Sequence, residues 1–144
     1  MKKIIKNLLS FLVGITLGGM LNGRIIALST YLIPPPSGTD LTTEAGLKAA
    51  MPLMEPKHFL MPFLAHALGT LLGAVLAAFI AASHKMQFAL AVGLMFLIGG
   101  AMMVFLLPDA PLWFKIVDLV GAYIPLAYLG GRIGIQHSFS NKYK

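Results

Sequence analysis

The sequence predicts an all-α membrane protein: a four-transmembrane-helix bundle with one long external loop that carries a short interfacial helix. Three observations lead there. Of the 144 residues, 58% are hydrophobic and only 11% charged, too little polar surface for a water-soluble domain of this length. Four apolar stretches, at about 7–33, 59–83, 86–107 and 114–134, each reach the roughly 20 residues that a bilayer core demands. The charges also segregate. Lys2, Lys3, Lys6, Lys85, Arg132, Lys142 and Lys144 fall on one side of such a four-span chain. All five acidic residues, Asp40, Glu44, Glu55, Asp109 and Asp118, fall on the other with Arg24, Lys48, Lys57 and Lys115. Because Lys and Arg near span ends prefer the cytoplasmic side, both termini are read as cytoplasmic. Residues 1–144 form a single transmembrane domain with 34–58 as its external loop.

The first span opens on "MKKIIKN", a basic stretch that, with "ALS" at 27–29, imitates a cleaved signal peptide. Asn22 and Arg24 interrupt the apolar run before that site, however, and "IIALSTYLI" continues to a spanning length. The expectation is therefore a retained helix. "IPPPSGTD" follows, and three consecutive prolines forbid a helix. Asp40 then stands as the N-cap of a short helix through "LTTEAGLKAAM", supported by Glu44 and Lys48 at i,i+4 and by an apolar edge of Leu47, Met51 and Met54. Pro52 and Pro56 end it.

"EPKHFLMPFLAH" begins the second span, where Glu55, His58, Pro62, His66 and Thr70 recur at helical spacing and form one polar-tinged stripe. Pro125 predicts a bend in the fourth span. Gly-Gly pairs at 18–19 and 99–100, with "PFLAHALG" and "PLAYLG" in spans two and four, suggest a tandem duplication of a helical hairpin that sets His66 against Tyr128. Gly14-x-x-x-Gly18, Gly19-x-x-x-Gly23 and Gly69-x-x-x-Gly73 offer faces for close helix packing, within the chain or between copies.

His66 is the strongest candidate for a functional position, because it lies two turns inside an apolar span, where an ionisable group needs a partner. Asp118, Tyr123, Asn22 and Arg24 are the partners within expected reach, and an Arg24–Asp118 ion pair is the simplest way to keep both of those charges in the outer leaflet. A buried polar network that fixes helix register is favoured over a ligand or proton site. Glu55 and His58 make a single Glu-x-x-His, and with Asp109 they form a weaker candidate metal site at the outer surface. His58 and His66 are about 12 Å apart along a helix, too far to share an ion. On this reading His58→Ala costs less than ~0.5 kcal/mol, as at an ordinary surface position, and His66→Ala costs ~1–3 kcal/mol by stranding its partner.

"IPPPSGTD", "EPKHFLMPFLAHALGTLLGA" and "YIPLAYLGG" together resemble a group of small bacterial inner-membrane proteins with four spans. The resemblance implies a four-span fold in the bacterial inner (cytoplasmic) membrane with the proline-rich loop as a family feature, which with the charge orientation makes that loop periplasmic; it carries over no activity, cofactor or functional residue. No phosphate loop, Ser-His-Asp pattern, dinucleotide fingerprint or zinc-protease motif occurs, and the chain has no cysteine. The reading therefore leans away from an enzyme and calls for no cofactor. Its first expectation is a non-enzymatic packing, accessory or interaction protein. The alternatives are a small-solute or proton-coupled transporter or channel with an outward-facing polar site, and a membrane enzyme or a quinone or lipid binder near the outer headgroups. Membrane lipid, a second copy of the chain and a larger membrane complex are the expected partners. The net charge of +6 reflects topology and anionic lipid rather than nucleic acid.

Overall fold

The computed structural model describes residues 1–140, so Lys142 and Lys144 of the basic set lie outside the described residues. It is helical, with no strand among the described residues: α1 (Lys2–Leu32), α2 (Glu44–Ala50), α3 (Leu60–Ile80), α4 (Lys85–Leu106), α5 (Leu112–Gly121) and α6 (Ile124–Ser140). Four segments are long and apolar enough to cross a membrane: Lys2–Leu32, Pro56–Ile80, Lys85–Leu106 and Leu112–Ser138. The last is α5 and α6 in series. Pro125 has no N–H to give the Gly121 carbonyl, and helix α5 ends at Gly121, so the bend expected in span four is a break.

The long loop differs from expectation in one detail. Asp40 does not cap α2; its carboxylate accepts the Thr42 N–H at 2.8 Å and the Thr42 hydroxyl at 2.6 Å, which turns the chain early. Those bonds hold its carboxyl below the ordinary value for aspartate. The N-cap falls to Thr43, whose hydroxyl accepts the Gly46 N–H, and Glu44 pairs with Lys48 at 2.6 Å as the spacing predicts. Glu55 and His58 then cap each other's backbone N–H groups at the start of a tight 3₁₀ turn, Pro56–Phe59, that runs directly into α3.

Helix α3 is the hub. It packs against α1, α4 and α6, whereas α1 and α6 share only α3 and α4 as neighbours. The contacts depend on missing side chains. A Cβ on Gly14 would stand 2.6 Å from the Gly73 carbonyl, and one on Gly18 would stand 2.5 Å from the Gly69 carbonyl. On its other side α3 presents Ala74 and Ala78 to Gly130 and Gly134 of α6, a small-x-x-x-small pair that the sequence reading missed. A Cβ on Gly19 or Gly23 would meet nothing within 4 Å, so among the described residues the expectation of close packing at that face does not hold.

The fully buried residues are nearly all alanine and glycine, while Leu8, Leu12, Met20, Ile98, Met102 and Phe105 are exposed. The distribution matches the four membrane-length apolar segments: helices in hydrocarbon are held by close backbone approach, and their large apolar side chains face outward. At the short turn between α3 and α4, Asn7 of α1 accepts the N–H groups of Ala82 and Ser83 and donates to the Ser83 hydroxyl at 2.9 Å. Lys85 donates to the last carbonyls of α3, including Ala81 at 2.5 Å. One side chain of α1 thus closes the far end of the α3–α4 hairpin.

Candidate functional site

Three of the candidate residues come together. His66, two turns into α3, donates from Nδ1 to Asp118 Oδ1 at 2.8 Å, and the Tyr123 hydroxyl donates to Asp118 Oδ2 at 2.9 Å. The His66 and Tyr123 rings stack, with centroids 5.7 Å apart and planes 28° from parallel. Asp118 is 5% exposed and Tyr123 2%. A carboxylate that deep would be costly alone, and two donors on its two oxygens are the usual solution. The break in the fourth span makes the triad: α5 brings Asp118 inward, and Tyr123, the second of two residues between the helices, turns back onto it. Gly100 of α4 makes room for that ring, since a Cβ there would stand 2.6 Å from Tyr123 Cζ. The Gly-Gly pair was visible in the sequence, but only a structure shows what its second member faces.

Above the triad the helices part around a cavity of about 480 Å³, within the range of small-molecule sites. Its walls come from the last third of α1, the loop and α2, the start of α3, the end of α4 and the start of α5. Ile26, Leu47, Met51, Met54, Val104 and Phe114 are typical of its apolar lining. His66 and Asp118 are its polar inner end. Near the start of α3, Phe59 packs against Phe114 with centroids 4.8 Å apart and meets Trp113 edge-on at 5.8 Å.

The other candidates lie apart from the triad. Arg24 is exposed and makes no ion pair or side-chain hydrogen bond among the described residues, so the expected Arg24–Asp118 pair does not form; Asp118 is already occupied. Asn22 packs beside Gly69 on the α1–α3 seam and does not reach His66 by a hydrogen bond. The metal site of Glu55, His58 and Asp109 is not assembled: no three His, Cys, Asp or Glu side chains come together among the described residues. Glu55 instead pairs with Lys57 at 3.0 Å, which with the nearby His58 holds its carboxyl below the ordinary glutamate value. Asp109 is exposed on the short α4–α5 connection.

His58 is no ordinary surface residue. Its Nδ1 accepts the Glu55 N–H at 2.9 Å, and its Nε2 donates to the Pro34 carbonyl at 3.1 Å, tying the proline segment to the head of α3. The signal for that clamp was the capping spacing of Glu55 and His58; the partner 24 residues upstream carried none. The hairpin duplication sets His66 against Tyr128, and the two differ, since Tyr128 is half-exposed and touches Arg132 while His66 joins the triad. Thr70, one turn below His66, is fully buried, and its hydroxyl is the one buried side-chain polar atom without a partner among the described residues.

Compared with known proteins, the chain matches no family model, no curated protein and no solved structure. What characterises it is the fold alone: an all-helical chain, among the described residues, with four segments long and apolar enough to span a bilayer.

Proposed function

We propose that this chain is a non-enzymatic binding protein of the bacterial inner membrane, with both termini cytoplasmic, that holds one small amphiphilic molecule beneath its periplasmic loop. The observation that carries the reading is the cavity: about 480 Å³, apolar over nearly all its wall, with a hydrogen-bonded polar group at its inner end. Such a shape suits a molecule with one polar end and an apolar body. A bundle serving only as a packing piece has no use for it, because helices in membranes associate by close contact and a void forfeits that contact. The likeness to small four-span inner-membrane proteins belongs to the same reading.

Purification of the whole chain in mild detergent, followed by mass spectrometry of extracted small molecules, tests it. A lipid-like species near one per protein is expected, and Val104→Trp, which fills the cavity, should remove it. Equal retention by that variant would overturn the proposal. Orientation is tested separately on this cysteine-free chain. Cysteines placed at Ser37 and Asp109 should react with an impermeant thiol reagent from the periplasm, and one at His84 should not.

A further inference from the structure

Resting on that reading, we propose that the polar end of the bound molecule is an uncharged hydroxyl, held by His66 Nε2. Few polar atoms of the triad are left without a partner. Both Asp118 oxygens already accept hydrogen bonds, from His66 at 2.8 Å and from Tyr123 at 2.9 Å. The Tyr123 hydroxyl spends its single hydrogen on that bond. His66 Nδ1 faces the carboxylate, so the hydrogen of a neutral ring sits on Nδ1 and leaves Nε2 as an acceptor. Nε2 has no protein partner among the described residues, and His66 lines the cavity.

The chemistry of Nε2 selects the headgroup. An acceptor in an apolar cavity needs a donor, and an ether, ketone or hydrocarbon offers none. A second proton on the ring would convert Nε2 to a donor without disturbing the Nδ1 bond to Asp118. A hydroxyl suits both states, because it donates and accepts. An anionic headgroup suits the site poorly: it brings a second negative charge beside buried Asp118, in surroundings that screen charge weakly. Among the described residues no arginine lines the cavity, and the lining lysine, Lys115, donates to the Pro108 carbonyl at 2.6 Å. Met51, Met54 and Met103 along the wall give an adaptable surface for an apolar body of loosely specified shape. The class is therefore an apolar alcohol or phenol.

The single tryptophan provides the test. Trp113 meets Phe59 edge-on at 5.8 Å, and Phe59 lines the cavity. With the whole chain in nanodiscs of unlabelled phosphatidylcholine, brominated C16 probes that share one tail and end in an alcohol, a methyl ether or a carboxylate are titrated, and saturable quenching of Trp113 is read. The alcohol should bind about tenfold tighter than the other two, the scale of one hydrogen bond to an otherwise unsatisfied acceptor. His66→Leu should lower the alcohol to the level of the ether and leave the ether unchanged. In the unmutated chain, the ¹⁵N resonance of His66 Nε2 should shift with the alcohol and not with the ether, a readout independent of whether the variant folds. Equal binding of alcohol and ether, or tightest binding of the carboxylate, overturns the headgroup assignment while leaving amphiphile uptake standing. Saturable quenching by none of the probes overturns the uptake reading as well.

Discussion

Around the short α3–α4 turn, the helices meet through Gly14, Gly18, Gly69 and Gly73, with Asn7 closing the end of the hairpin. Toward the loop, α1 has no buried residue beyond Gly18, and the helices part around a cavity. Side-chain size on α3 accounts for the change. Glycine and alanine at Gly69, Gly73 and Ala77 let the α1 and α3 backbones touch, whereas the turns above carry Pro62 and His66, which line the cavity, and Phe63, which packs against Gly121. One bundle thus carries a close-packed half, where α1 and α3 meet backbone to backbone, and an open half, where the polar triad sits. On the proposed reading, stability and binding fall to different ends of the same helices.

The harshest way to break that division is to put bulk into the close-packed half. A Cβ at Gly73 already stands 2.6 Å from the Gly14 carbonyl, so Gly73→Leu should cost about 3 kcal/mol or abolish the folded bundle. Gly23→Leu, in the open half with nothing within 4 Å, should cost nothing measurable. Thermal unfolding in detergent distinguishes them, and equal losses would erase the contrast between the halves. His66→Ala comes next. It strands buried Asp118 and should cost about 1–3 kcal/mol in the same assay, far more than truncating a half-exposed side chain.

His58→Ala should cost about 1 kcal/mol, through loss of the Glu55 cap and the Pro34 bond. Hydrogen exchange should quicken at residues 39–48 while α3 below Ala65 stays protected. Protection lost throughout α3 would mean that the loop supports the whole bundle rather than its open half. The smallest effect marks where one half meets the other. Thr70→Val removes a buried hydroxyl without a partner and should stabilise by up to about 1 kcal/mol. A loss of stability there would place water from the cavity against Thr70 and move the boundary down a turn.

Much of this was legible in the sequence where a residue's own chemistry demanded a neighbour. The four spans follow from hydrophobic length, and Glu44 with Lys48 from local spacing. The group His66, Asp118 and Tyr123 was within view because ionisable side chains deep in a span must be paired. What could not be read depends on which faces meet. Arg24 and Asp118 are equally plausible partners by depth alone, and only the rotation of α1 puts Arg24 outside. Gly130 and Gly134 look no different from Gly19 and Gly23, yet the first pair abuts α3 and the second abuts nothing. Asp40 lost its capping role to Thr43 because a carboxylate two residues before a threonine has a nearer N–H to accept.

The position of α3 as hub also bears on how such a chain is made. If the chain is inserted in a bilayer as proposed, synthesis delivers α1 there before α3 exists, and the Gly14 and Gly18 face and the side chain of Asn7 enter lipid before their α3 and turn partners are made. The backbone against those glycines is Gly69 and Gly73 of α3, and Val92 and Phe96 of α4, made later still, complete the contact. The N-terminal helix must therefore wait through translation of the entire loop. Asn7 waits longer still, until the α3–α4 turn has formed. A nascent chain halted before residue 60 should leave α1 mobile among lipids and open to cross-linking by the insertion machinery, and release from it should come only when the turn at 81–84 has emerged.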